Sequence, residues 1–387
     1  MRQKEVIIAT LMRPQGDTGV QTHFNAVCEY LRRQDVTVSM VTPLLGPKAL
    51  IYPLFGLRWF IDRVSGTASV WWYEYWHYRV LRYLLRRKLI LGPAVVYAQC
   101  PLSARAALEA RVAPEQKVIM VVHFNVSQAD EWVSKGKIRS GDNLYRAIQR
   151  REQDTLPRLD GIVFVSDFVR GEVYRRIPDA KRVPAVVISN FIRRADPQDP
   201  CSPRNDLINI GTLEPRKNQQ FLLKVLAETK RLGKQYRLSL VGDGPDRSKL
   251  KKLAHRLGIA DQVSFLGRHP QAAKQLALHR AYCHSATMET QGIALIEALS
   301  YGVPILAAPV GGIPEVFRDG IEGYYWNLDQ PSESARKMVQ LLEDPERLHT
   351  MSLAARRRFE TQFEEAAVGA RLLSFLTGNE HGSSPCR

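Results

Sequence analysis

Short apolar runs, each followed by a turn and then a helical pattern, recur along this chain and narrow its fold more than any other feature. An apolar run from Lys4 to Leu11 leads into RPQGDTGVQTHF, a helical pattern follows from about Val20 to Arg33, and a strand is predicted at Val36 to Val41. Strands are predicted again at Ala94 to Ala98, Lys117 to Val122 and Gly161 to Val165, with helices near Leu102 to Arg111 and Asn143 to Leu156. This alternation specifies an α/β fold with a mostly parallel, doubly wound sheet. Ser166 and Asp167 read as the pair that opens the helix SDFVRGEVYRR.

RRADPQDPCSPRND, Arg193 to Asp206, carries three prolines and mixed charge between apolar runs, which is a linker composition. A second alternation starts directly after it. Strands are predicted at Leu207 to Ile210, Tyr236 to Val241, Gln262 to Phe265, Ala281 to His284 and Pro304 to Ala308. Helices are predicted from about Asn218, from Pro245, in Gln271 to Leu278 and from Gly292. The expected organisation is a first domain over 1–192, a linker over 193–206 and a second domain over 207–362. Residues 363–387 are expected to form a terminal helix packing back towards the first domain, and then a frayed tail. A chain of 387 residues is long enough for two such cores.

The 55 Lys and Arg against 39 Asp and Glu leave a formal charge of +16, which suits phosphorylated ligands, nucleic acid or an anionic membrane surface. No zinc, RRM-like or helix-turn-helix pattern supports nucleic acid, so it is not expected as a partner. Cys28, Cys100, Cys201, Cys283 and Cys386 are odd in number and lack metal-type spacing, the pattern of reduced thiols in a cytoplasmic protein. KEVIIATLM reads as a first buried strand, not a signal peptide, and no apolar run is long enough to cross a bilayer. WWYEYWHYRVLRYLLRRKLIL, Trp71 to Leu91, combines aromatics with Arg79, Arg82, Arg86, Arg87 and Lys88. It fits two readings: a helix lying on an anionic bilayer, or a core helix with one basic solvated face.

Glu289 to Asp319, ETQGIALIEALSYGVPILAAPVGGIPEVFRD, holds the densest candidate chemistry. A loop carboxylate, Glu289, precedes a helix start at Gly292, and a second carboxylate, Glu297, lies inside that helix. Unpaired N–H groups and the positive end of the dipole favour an anion there, and a phosphate flanked by sugar hydroxyls fits. GTLEPRKNQ, Gly211 to Gln219, follows the first strand of the second domain and delivers Arg216 and Lys217, a fork and a point charge suited to a diphosphate. In the first domain the loop around Gly19 follows the first strand, and His123 directly follows KVIMVV, both at carboxyl strand ends where ligands of such sheets lie.

Gly211 to Asn218, VGDGP at Val241 to Pro245, VSFLG at Val263 to Gly267 and Glu289 to Gly320 together resemble, in order and spacing, the family 4 retaining glycosyltransferases of the GT-B fold. His123 and the Gly19 loop match that pattern more loosely. The most specific part is Glu289 and Glu297 with seven residues between them. The resemblance implies two Rossmann-like domains facing a central cleft, with a nucleotide-diphosphate sugar donor held by the second and a glycan or lipid-linked acceptor by the first. It implies that Arg216 and Lys217 neutralise the leaving diphosphate, and that the backbone of Gly292, Ile293 and Ala294 contacts it. Glu297 would then hold the ribose, Glu289 the donor sugar, His123 would reach that sugar, and Gly19 would let the backbone approach the diphosphate. Retention of configuration, with front-face attack and no enzymic nucleophile, is part of the same implication.

Several positions depart from the family pattern. Thr212 stands where many relatives have Arg, Gln291 where Phe is usual, Ser285-Ala286 where Pro-Ser is usual, and Thr18-Gly19 in place of a glycine pair. The chain has no Asp-X-Asp triplet, and neither a metal nor a cofactor is expected. The expected function is metal-independent sugar transfer in cell-surface polysaccharide or glycolipid synthesis, at the inner face of the cytoplasmic membrane. A nucleotide-sugar-binding protein without transferase activity and a GT-B-fold nucleotide-sugar epimerase are the alternatives.

Overall fold

The computed structural model describes residues 5–16, 18–123, 127–194, 205–269 and 271–378. Contacts divide the chain into two units, one spanning Asn190–Ala367 and one made of Met1–Ser189 with the residues from Val368 onward. That boundary falls slightly before the expected domain end at residue 192. Most of the linker expected at 193–206, and the tail beyond residue 378, lie outside the described residues.

In the first unit β1 (Glu5–Ala9), α1 (Gly19–Arg33) and β2 (Val38–Val41) are followed by three helices, α2 (Lys48–Val64), α3 (Gly66–Trp72) and α4 (Tyr78–Leu89). Then come β3 (Ala94–Ala98), α5 (Pro101–Ala110), β4 (Lys117–Val122), α6 (Gln128–Ser134), α7 (Asn143–Thr155), β5 (Gly161–Phe164), α8 (Asp167–Arg176) and β6 (Ala185–Val187). All pairings are parallel, in the order β2-β1-β3-β4-β5-β6. Val6, Ile7, Ile8 and Ala9 of β1 are completely buried, as a strand covered on both faces requires. The helix starts follow local chemistry. Thr18 and Gln21 form a capping box on α1, and the Ser166 hydroxyl accepts from Val169 N at the start of α8.

The second unit runs β7 (Asn205–Ile210), α9 (Gln219–Arg231), β8 (Leu238–Val241), α10 (Arg247–Arg256), β9 (Val263–Gly267), β10 (His279–His284), α11 (Ile293–Ser300), β11 (Ile305–Ala307), α12 (Ile313–Val316) and β12 (Gly323–Tyr325). Helices α13 (Pro331–Leu342), α14 (Pro345–Gln362) and α15 (Glu365–Thr377) close the chain, the last continuing into the residues grouped with the first unit. The parallel order is β12-β11-β10-β7-β8-β9. Alternate side chains of one strand point to opposite layers. Leu207 and Leu240 join a core with Phe221 of α9 and Met338 of α13, whereas Ile208 and Val241 join another with Leu299 of α11 and Phe359 of α14. The direction of winding reverses between β7 and β10, so a crevice opens at their carboxyl ends.

Several elements differ from expectation. Gln271 to Leu278 is a 3-10 turn over Ala272–Leu278 and not an α-helix. The short edge strands β6 and β12 carry no sequence signal of their own, being three residues each. Helix α2 occupies a stretch to which no element was assigned. Trp71 to Leu91 is helical as far as Leu89 but not regular: the end of α3, a π-helical turn at Tyr73–His77 and α4 follow one another without a break. Leu81, Leu85 and Leu89 form the buried face of α4, with Arg82, Arg86 and Arg87 outside, which is the core-helix reading of that part.

Candidate active site

The loop that leaves β7 carries Arg216 and Lys217, and the loop that leaves β10 carries Glu289, so the two flank the reversal point of the second sheet. Lys217 Nζ donates to Glu289 Oε2 at 2.5 Å. Backbone contacts lock the loops together: Thr287 N donates to Arg216 O at 3.1 Å, and Ser285 Oγ donates to Lys217 O at 2.8 Å. The Arg216 guanidinium rests on Glu214 at 2.9 Å. Each cation of the clamp therefore holds a carboxylate.

Glu289 is 7% exposed. Burial opposes its ionisation, but the Lys217 ammonium, with His284 and Arg216, outweighs burial and holds the carboxyl well below the usual range. His284, at the end of β10, places Nε2 3.4 Å from Glu289 Oε2, a long contact. Its Nδ1 lies 3.1 Å from the Tyr282 hydroxyl, which can donate to it and leave the ring proton on Nε2, facing the carboxylate. Burial keeps this imidazole neutral despite Glu289. Sequence reasoning missed His284; its only signal is its place at a carboxyl strand end, five residues before Glu289.

Two glycines shape the rest. Gly292 precedes α11 with φ +78°, and no side chain caps that helix, so the N–H groups of its first turn, at Ile293 and Ala294, have no intrahelical partner. Gly311, with φ +59°, lies against the backbone of Glu289, where an added Cβ would sit 2.0 Å from Glu289 O. Gly312 N donates to that same carbonyl at 2.9 Å. The Gly311-Gly312 turn is thus the seat of the Glu289 loop. Gln291, where the family has Phe, is buried and accepts from Asn190 N at 2.7 Å and from Asn190 Nδ2 at 2.8 Å. It ties the Glu289 loop to the start of the unit.

Glu297 lies one turn into α11, and burial alone pushes its carboxyl up to about 7. No hydrogen bond or ion pair to its carboxylate is formed among the described residues. The folded chain keeps this proton to higher pH than the unfolded chain does, so stability is greatest below the ordinary value of 4.5 and falls as pH rises through about 7. Glu297→Gln is expected to remove this fall, read as a flatter pH dependence of the denaturation midpoint. An unchanged slope would refute the assignment.

In the first unit His123 follows β4, with its ring edge-on to His23 of α1 at 4.4 Å between centroids. Burial, and then His23, hold it neutral, well below the usual histidine range. His123 Nε2 is buried without a hydrogen-bond partner among the described residues. His23 Nε2 lies 3.3 Å from the Tyr97 hydroxyl of β3. Sequence reasoning did not find this supporting pair, whose members are 74 residues apart. Gly19 lies where the β1 loop meets the helix, as the first residue of α1. The loop before it is organised by Gln21, whose Nε2 donates to Arg13 O and Gln15 O at 2.9 and 3.0 Å.

Two parallel, doubly wound units, the second with a cation-carboxylate site at its reversal point, define a protein of the GT-B class. Family models match both units: Glycosyltransferase Family 4 over residues 18–195 and Glycosyl transferases group 1 over residues 194–358. The chain belongs to glycosyltransferase family 4. Among curated relatives, the N-acetyl-alpha-D-glucosaminyl L-malate synthase of Bacillus anthracis is 36% identical over 132 residues, 34% of this chain and 35% of that protein. The GDP-mannose-dependent alpha-(1-6)-phosphatidylinositol monomannoside mannosyltransferase of Mycolicibacterium smegmatis is 31% identical over 183 residues, 44% of this chain and 47% of that protein. The matches thus span about half or less of those relatives. Among solved structures, the sucrose-phosphate synthase of Thermosynechococcus elongatus aligns with a TM-score of 0.74 at 16% identity, covering 97% of this chain and 98% of that one. Anabaena HepE in complex with UDP-glucose aligns with a TM-score of 0.71 at 16% identity, covering 97% and 99%. These likenesses establish the fold.

Proposed function

We propose that the chain transfers a sugar, with retention of configuration, from a nucleotide-diphosphate donor to a glycan or lipid-linked acceptor at an anionic membrane surface on the cytoplasmic side. The observation that carries this reading is the partly buried Lys217–Glu289 ion pair beside the uncapped start of α11. A loose, oxocarbenium-like transition state needs the leaving diphosphate stabilised more than it needs a strong nucleophile. Lys217 leaves Glu289 for the phosphate oxygens, Arg216 adds a second cation, and the N–H groups of Ile293 and Ala294 donate from the helix start. Glu289, freed of its partner, accepts from hydroxyls of the donor sugar, and His284 keeps its orientation. Glu297, ionised, accepts from the ribose hydroxyls. From the first unit His123 serves the donor sugar through Nε2, and the backbone at Gly19 approaches the diphosphate.

The names of the relatives support this direction, since the mycobacterial protein is a mannosyltransferase acting on a phosphatidylinositol glycolipid. Cys28, Cys100 and Cys283 are free thiols, which suits the cytoplasmic side. No helix among the described residues is long and apolar enough to cross a membrane, so contact with lipid would be at its surface. A panel of nucleotide sugars monitored by nucleotide release, with and without lipid-linked acceptors, tests the reading. Release without acceptor and with an altered sugar would point to an epimerase, and binding without release to a non-transferring protein. The clamp needs no metal for charge neutralisation. Full turnover is expected in excess chelator, and loss of turnover restored by a divalent cation would overturn that part.

A further inference from the structure

Exposed apolar surface is concentrated in one part of this protein. Of the sixteen strongly exposed large apolar side chains among the described residues, eleven fall between Leu45 and Leu91. Helix α2 carries five of them: Tyr52, Leu57, Trp59, Phe60 and Val64. At the α-helical step they fall within an arc of about 160°. The opposite face of α2 is pinned to the first unit. Trp72 Nε1 donates to Leu54 O at 3.0 Å, the Phe55 ring lies 4.5 Å from that of His77, and Lys137 holds Asp62 at 2.7 Å. A helix that is apolar on both faces, one of them bare, calls for a second apolar phase.

The surrounding charge indicates which phase. Between Leu45 and Leu91 the only acids are Asp62 and Glu74, and both are neutralised, by Lys137 and Arg151. Lys48, Arg63, Arg79, Arg86 and Arg87 have no carboxylate partner among the described residues. Three of these cations lie over aromatic rings, Arg63 on Trp59 at 3.4 Å, Arg79 on Tyr75 at 4.5 Å and Arg87 on Tyr83 at 5.8 Å. Aromatic rings with unpaired arginines beside them match the boundary between acyl chains and anionic headgroups. A patch meant for a second copy of this positively charged chain would bring like charges together.

We propose that α2 is the element that docks this chain on an anionic bilayer, with the outer face of Tyr52, Leu57, Trp59, Phe60 and Val64 in the acyl boundary and Arg63, Arg79, Arg86 and Arg87 on the headgroups. The docking helix is therefore α2 and not α4, whose Leu81, Leu85 and Leu89 are committed to the core. The inference deepens the lipid-linked acceptor reading and rests on it only for its purpose. The test is flotation of the full chain with vesicles of phosphatidylglycerol and phosphatidylcholine in equal parts, and with phosphatidylcholine alone. The chain is expected to float with the anionic vesicles, less so at raised salt. Trp59→Glu with Phe60→Glu is expected to lower the floated fraction by roughly tenfold or more, since each ring loses most of its transfer into the acyl boundary. Circular dichroism and donor titration are expected to be unchanged in that variant. Failure of the wild-type chain to float, or equal flotation of the variant, would overturn the proposal. So would sedimentation showing a dimer that the variant dissolves, without flotation by either protein. The assay contains neither donor nor acceptor, so its failure leaves sugar transfer standing, and absent nucleotide release leaves the docking surface standing.

Discussion

Lys217→Ala is expected to lower turnover by roughly a hundredfold or more, the scale on which a single preorganised charge acts on a transition state. Lys217 is the cation within hydrogen-bond reach of Glu289, and Arg216 is already engaged by Glu214. With Thr212 where many relatives place Arg, the proposed clamp has no third side-chain cation in the Gly211 to Gln219 loop. The substitution also removes the charge that keeps Glu289 ionised, so burial raises its carboxyl and the pH profile of residual turnover shifts upward. Glu289→Gln separates the two effects. It keeps the side-chain shape and frees Lys217 for the diphosphate, so donor binding is retained while turnover falls by a comparable factor. Wild-type turnover in both variants would refute the site.

Gly311→Ala is expected to destabilise the second unit by on the order of 3 kcal/mol or more, because a left-handed residue and a backbone clash are imposed together. The new Cβ would meet Glu289 O at 2.0 Å, and a carbonyl in a buried loop cannot withdraw as the end of a flexible side chain could. Turnover is expected to fall with stability, since Glu289 must move. Gly258→Ala is the control. Its φ of +67° carries the same backbone penalty, but nothing lies within 4 Å of its added Cβ. A loss of about 1 kcal/mol with unchanged turnover is expected there. Equal losses in the two variants, measured by denaturant midpoints, would show that the contact with Glu289 has no weight.

How far the site was legible depended on whether its parts were near in sequence. The helix start between Glu289 and Glu297, and the cations at Arg216 and Lys217, were visible because turn chemistry and strand ends are local signals. That Lys217 and Glu289 form one ion pair across 72 residues was not, since strand order decides it. His284 and His23 were missed for a related reason. A lone histidine acquires a role from neighbours on other strands, and no period or spacing announces them. Gln291 looked like a departure from the family and proved to be a buried bond to Asn190, also outside the reach of any local pattern. The helix start expected at about Val20 falls at Gly19, where the capping pair Thr18 and Gln21 sets it.

The sequence by itself determined two parallel α/β units, the motif residues and the excess of positive charge, because buried strands, helix caps and turns are written in neighbouring residues. Tertiary structure alone decided the pairing of Lys217 with Glu289 and the neutral state of His123 and His284. It also decided which apolar side chains of α2 and α4 stay outside. Each of those depends on desolvation and charge imposed by residues distant in the chain, and neither quantity exists until the sheets are assembled.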